Sequence, residues 1–166
     1  MISYTEKGIG LHDRVLAAGH QLHCVNGVWE SDNDVDVQAI IDGYTLDHAK
    51  SAKCIEVSAV AKTLRDKAIS TISAGEMASW SIKLSEAAKF SASGDVAQCP
   101  MLSAEALSRG ITVAALAAKV GGNATMFSAL EAQIGGNDGR HRDAIKLLTT
   151  FDDIARYDFS SGWPAV

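Results

Sequence analysis

Histidine, cysteine and carboxylate side chains are where chemistry would first be sought, and in this chain they gather toward the N-terminus. His12, His20, His23 and Cys24 are all able to ligate a metal. His23 and Cys24, however, are neighbours in a stretch that reads as a strand, so they point to opposite faces and cannot converge on one ion. The usual zinc spacings are absent, and no metal site is expected. Asp32-Asn-Asp34-Val-Asp36 has the opening of a calcium loop. Such a loop needs glycine at its sixth position and glutamate at its twelfth, where this chain has Val37 and Gly43. The acids are better read as helix caps. Gly139-Arg-His-Arg-Asp143 offers two guanidinium groups that would suit a phosphate or carboxylate. No glycine-rich strand–loop–helix precedes it, and it reads as the solvated first turn of a helix. Asp152 and Asp153 are adjacent in a helical stretch and do not face each other, which removes them as a catalytic pair. Gly-x-Ser-x-Gly, P-loop, dinucleotide and HExxH signatures are absent from the sequence. No catalytic residue, cofactor-binding residue or metal ligand is assigned, and the chain is not read as an enzyme.

The elements that carry these residues are mostly helical. Between Thr45 and Ala92, Val57, Val60, Ala61, Leu64, Ala68 and Ile72 recur at helical spacing. Thr45 is a good N-cap for that run. Ser73-Ala-Gly-Glu76 has the form of a capping box, and Met77, Trp80, Leu84 and Ala87 begin a second stripe that Gly94 ends. Two helices follow, over about 46–72 and 74–92, packed as an antiparallel pair; one kinked helix is the alternative. Upstream, Leu11, Val15 and Ala18 mark a short helix closed by Gly19. Gln21–Val25 and Val28–Glu30 flank Asn26-Gly27, the sequence of a type I′ hairpin. In that register Val25 faces Val28, Cys24 faces Trp29 and His23 faces Glu30, and Leu22, Cys24 and Trp29 share a face that should be buried. Val37, Ile40, Ile41 and Tyr44 form the next helical stripe.

Downstream, Pro100 suits the first turn of a helix ended by Gly110. Thr112 caps a run carrying Val113, Leu116, Val120, Phe127, Leu130 and Ile134. Gly121-Gly-Asn123 recurs as Gly135-Gly-Asn137, about four helical turns later. Each pair is expected to end or bend a helix; were the helix continuous, both would lie on nearly one smooth face and favour a close helix–helix contact. Asn137-Asp-Gly139 reads as a turn, and Ile145, Leu148, Phe151 and Ile154 as a last stripe. The expected fold is mainly α with a small α+β head: helix–β-hairpin–helix over 1–44, a helical body over 45–157, and a non-helical docking tail over 158–166.

A chain of 166 residues, 47% hydrophobic and 21% charged, can bury a real core. Its formal charge of −5 gives no basic footprint for nucleic acid. No uninterrupted apolar run of about 18 residues is present, and no membrane insertion is expected. The opening residues lack the apolar stretch of a signal peptide. Three scattered cysteines, Cys24, Cys54 and Cys99, do not make a disulfide framework. The chain is therefore expected to be made in a cytosol.

Several stretches together resemble a known group. They are Tyr4-Thr-Glu-Lys-Gly8, Leu11-His12, Ala18-Gly-His20, Gly27-Val-Trp29 and Val37-Gln-Ala-Ile-Ile-Asp-Gly-Tyr44, then Lys83-Leu-Ser-Glu-Ala87, Pro100-Met-Leu102, Glu105, Gly110-Ile-Thr-Val113 and Trp163-Pro164. They resemble small tail proteins of bacteriophages and prophages from the tail-fibre and baseplate region. The resemblance implies a non-enzymatic structural part of the virion tail, made in the bacterial host cytoplasm, that binds other tail proteins, with self-association as a further option. The Trp-Pro ending is similar to tail-fibre assembly chaperones, which leaves a chaperone absent from the mature particle as the alternative, and a small ligand-binding protein or enzyme as a third. Tyr4, Trp29, Tyr44, Gly121, Gly135, Phe159 and Trp163 are the expected partner-binding residues, because exposed aromatics and glycine-smoothed helices suit docking into a larger assembly.

Overall fold

Ile9–Ala17 forms α1, and Gly19, with φ of +85°, turns the chain out of it. Strands β1 (Leu22–Val25) and β2 (Val28–Ser31) pair antiparallel with Val25 opposite Val28, Cys24 opposite Trp29 and His23 opposite Glu30. Asn26 and Gly27 both have positive φ, 52° and 81°, which a type I′ turn requires. Asn33 caps α2 (Asp34–Asp42) by accepting from the N–H groups of Val35 and Asp36. The long α3 (Leu46–Ile69) starts at Thr45, whose Oγ1 accepts from His48 N–H while His48 Nδ1 accepts from Thr45 N–H. Histidine here takes the part glutamate has in a capping box. The structure, a computed structural model, describes residues 2–4 and 7–166; Met1, Thr5 and Glu6, which belong to the expected head and to the Tyr4–Gly8 stretch, lie outside the described residues.

α4 (Ala74–Ser93) is capped by Ser73, which accepts from Glu76 N–H, and ends at Gly94 in the left-handed conformation. A 3-10 turn (Val96–Gln98) leads to α5 (Pro100–Arg109), with Pro100 in its first turn and Gly110 left-handed at its end. Thr112 accepts from Ala115 N–H and opens α6. After a short α7 (Phe151–Arg156), the tail from Tyr157 is non-helical. The fold is thus mainly α, with helix–hairpin–helix at the N-terminal end followed by a helical body.

Several expectations need correction. α6 runs unbroken from Val113 to Leu147, through both Gly-Gly-Asn copies and through Asn137-Asp-Gly139. None of the glycines in it has positive φ. Each costs about 1 kcal/mol relative to alanine, which is a penalty and not a stop once helix is established on both sides. Buried Leu116 and Ala117 anchor one end and Ile134 and Ile145 lie farther along. Glycine and asparagine also hid the length of this element in the sequence. Among the described residues α6 is the one helix long and apolar enough, by length and composition, to cross a membrane. Its C-terminal half carries Asp138, Arg140, Arg142, Asp143 and Lys146.

The chain divides into two compact units along lines other than residue 44 and residue 157. One comprises Met1–Thr63 and Gly135–Trp163, the other Leu64–Ile134 and Pro164–Val166. The first unit's core explains the difference. Leu11, Val15, Val37, Ile41 and Tyr44 of the expected head are closed off by Ala49 of α3 and Ile154 of α7, with Leu46, Leu148 and Phe151 packed against them. A hairpin and two short helices cannot complete a core alone. In the second unit Ala87 and Phe90 of α4 pack with Cys99, Leu102 and Ala106 and with Leu116 and Ala117 of α6. Of the α4 stripe, Ala87 packs with α5 and α6 and Trp80 meets Phe127 of α6, while Leu84 is exposed. On the hairpin, Leu22 and Trp29 pack against the core as expected, but Cys24, directly opposite Trp29, is exposed.

Candidate functional site

Several of the side chains capable of chemistry are engaged with their own unit, while His23 and Cys24 are exposed on the hairpin. Among the described residues no three of His, Cys, Asp and Glu gather to hold a metal. His20 Nδ1 lies 3.1 Å from Asp32 Oδ2, and Asp32 Oδ1 accepts from Gln21 N–H. That backbone bond, with His20 second, holds the Asp32 carboxyl below the ordinary carboxylate range. The acids of the calcium-like stretch are therefore spent on caps and turns.

The best-built cluster in the first unit binds the tail. Asn137, Arg140 and His141 project from successive positions of one face of α6. Asn137 Nδ2 donates to Gly162 O at 2.6 Å, and Arg140 Nη2 donates to Ser161 O at 3.0 Å. His141, only 3% exposed, has Nε2 3.0 Å from the same Ser161 oxygen and Nδ1 2.9 Å from the Tyr157 hydroxyl. Arg140 Nη2 also lies 3.2 Å from this Nε2, so the ring sits among the Ser161 carbonyl, the Tyr157 hydroxyl and the Arg140 guanidinium. Trp163 stacks on the His141 ring at 5.7 Å and donates its indole N–H to Phe159 O at 2.7 Å. Arg140 and His141 therefore form part of a mid-helix clamp and not a solvated first turn, while Arg142 points elsewhere, 3.7 Å from Asp138. The clamp's own sequence gave no sign of the tail lying across it.

In the second unit, buried Lys83 donates to both oxygens of Glu76 and to Glu105 Oε2 at 2.8 Å, and Glu105 also receives Arg109. The Glu76 side chain so engaged is the one expected to reach back to Ser73. Glu105 foremost, with Glu76, raises the Lys83 pKa; Lys83 and then Arg109 lower that of Glu105. Glu86, also buried, accepts from Met101 N–H at 3.2 Å and Leu102 N–H at 2.8 Å. It caps α5 from another helix, just where Pro100 has no N–H to offer. Sequence reasoning missed Lys83, Glu86 and His141, since a charged residue on a helix reads by default as solvated.

The residues expected to bind partners fall into different settings. Tyr4 and Trp29 lie ring to ring at 4.0 Å, and the Tyr4 hydroxyl reaches His12 Nε2 at 3.1 Å. Phe159 has Lys53 Nζ 5.1 Å from its ring centre. Tyr4, Trp29, Phe159 and Trp163 are each partly buried within the first unit. Tyr44 is a core residue, 3% exposed, beside Phe151 and His48. Its position continues the buried stripe of α2, and burial raises its phenol pKa. Gly121 and Gly135 are half-exposed in α6, and a Cβ at Gly121 would meet nothing. Among the described residues, Leu107, Leu147, Ile55 and Met126 are large hydrophobic side chains that stay well exposed. Compared with protein families, with curated proteins and with solved structures, the chain finds no match in any of the three.

Proposed function

We propose that this chain is a non-enzymatic structural component of a bacteriophage tail, attaching to the tail fibre or baseplate through protein–protein contacts. The resemblance of its sequence stretches to small phage tail proteins motivates the reading. The observation that carries it is the exposure of the apolar stretch of α6, of which only 11% is buried. Met126 is 65% exposed and Phe127 39%. Large exposed apolar surface on a protein marks a site that another surface covers. The tail aromatics are already engaged internally, so this reading moves the contact from Phe159 and Trp163 to α6. Other phage tail proteins are the partners, and the place of work is the virion tail.

Mass spectrometry of purified particles tests it. The chain should be present at a fixed copy number in the tail fraction. Its absence from particles, with abundant chain in the lysate, would favour the assembly-chaperone reading; absence from both particles and fibre intermediates would discard both.

A further inference from the structure

One face of α3 is left open alongside the C-terminal part of α6, within the first unit. Lys50, Cys54, Ile55, Ser58 and Lys62 line it from α3, and Arg142 and Lys146 from α6, around an open groove of about 750 Å³. The α3 positions recur at three- and four-residue steps between residues 47 and 62. That is four helical turns, roughly 22 Å. Ile55, at the middle, is 70% exposed.

Charge separates this groove from the rest of the molecule. Four cations line it against one carboxylate, Asp47, on a chain whose net charge is −5. Lys50, Lys146 and Arg142 have local partners. Lys50 Nζ donates to Lys146 O, Lys146 pairs with Asp143 one turn back at 2.8 Å, and Arg142 lies 3.7 Å from Asp138. Surface pairs of this kind are weak and exchange readily.

We propose that this groove receives an acidic amphipathic helix of a partner protein, its apolar side on Ile55 and Cys54 and its carboxylates on the flanking lysines and Arg142. Length, an apolar floor and a basic rim are what helix-in-groove recognition needs, and the rim sets the sign of the partner. The inference rests on the reading of the chain as a binding component, and it names the chemistry of one of its contacts.

The test uses the full chain carrying Cys24→Ser, so that Cys54, half-buried in the groove, is the reactive thiol; Cys99 is buried. The probe is a synthetic acidic amphipathic helix of about four turns, with leucine on one side and glutamate flanking it. Its counterpart carries lysine in place of glutamate. The acidic peptide should bind saturably, slow N-ethylmaleimide alkylation of Cys54 at least about fivefold, and bind more weakly as salt rises. Ile55→Glu should abolish the protection, and Arg142→Gln should weaken binding; both positions are exposed enough for the variants to fold, which circular dichroism verifies. Equal binding of the lysine peptide, protection unchanged by Ile55→Glu, or no binding of the acidic peptide would each overturn the proposal. Protection that grows with protein concentration without peptide would assign the groove to a second copy and overturn it as well. The assay uses isolated protein, whereas the tail reading is scored on particles, so the two fail separately.

Discussion

His141 Nε2 and Arg140 Nη2 both lie 3.0 Å from the carbonyl oxygen of Ser161, so two neighbouring residues of α6 close on one atom of the tail. Neither Ser161 nor the residues beside it has a helix or strand to hold it, and a non-helical end segment frays unless it is tied down. The α6 side chains are that tie.

Removing the ring should therefore release the tail while sparing the helices. His141→Ala deletes two hydrogen bonds and the stacking partner of Trp163, a loss of about 2–3 kcal/mol. Limited proteolysis should then cut after Tyr157 or Phe159 much faster than in the parent chain, with helix content by circular dichroism retained. Unchanged cleavage would show that Asn137 and Arg140 suffice.

The Lys83–Glu105 pair gives stability a pH signature. Glu105 titrates below its ordinary value of 4.5 when folded, because Lys83 and Arg109 donate to it. A depressed carboxyl stabilises the fold above the ordinary value, and that stabilisation is lost as pH falls through the folded one. Lys83 is raised above 10.5, so its part is complete below that value and is lost as pH climbs through the folded one. Urea denaturation of Glu105→Gln should show a deficit of about 1–2 kcal/mol near neutral pH, closing as pH drops well below 4.5. A deficit that persists unchanged in acid would mean that the side chain acts by shape alone.

Glu86 should prove a strong determinant of α5 although it lies in another helix. Glu86→Ala strands two donors, the part-buried Met101 N–H and the buried Leu102 N–H, at about 2–3 kcal/mol. Glu86→Gln keeps an acceptor and should recover part of that loss in thermal melts, less the attraction of a carboxylate for the helix N-terminus.

What the sequence made legible was local. Asn26-Gly27 dictates its turn through backbone sterics, so the whole hairpin register could be read from two residues. Ser73, Thr112, Gly94 and Gly110 mark helix ends because caps act over one turn. What stayed hidden depends on partners far along the chain. His141 is explained by Ser161 and Tyr157, Glu86 by Leu102, and Tyr44 by Phe151 and the α1 backbone. The groove had a faint signal, Cys54 and Ile55 among the lysines and acids on the polar side of α3, but without α6 in place an apolar residue there reads as incidental. Gly121 and Gly135 misled for the opposite reason. Their local preference for a break is real, and it is smaller than the cooperative gain of one continuous helix.

Glycine substitutions distinguish these cases and bear on assembly. At Gly10 an added Cβ would come within 2.5 Å of the Tyr44 hydroxyl, and that hydroxyl is buried with no hydrogen-bond partner among the described residues. Overpacking there should cost Gly10→Ala about 1–3 kcal/mol. At Gly122 a Cβ would meet nothing, so Gly122→Ala should gain about 0.5–1 kcal/mol from helix propensity alone. Thermal melts of the isolated protein check both signs. If α6 is the face that other tail proteins cover, the same Gly122→Ala chain, though more stable, should enter purified particles at reduced copy number, because the methyl group occupies the space a neighbouring backbone would fill. A variant that is both more stable and fully incorporated would place the tail contact on another part of the surface.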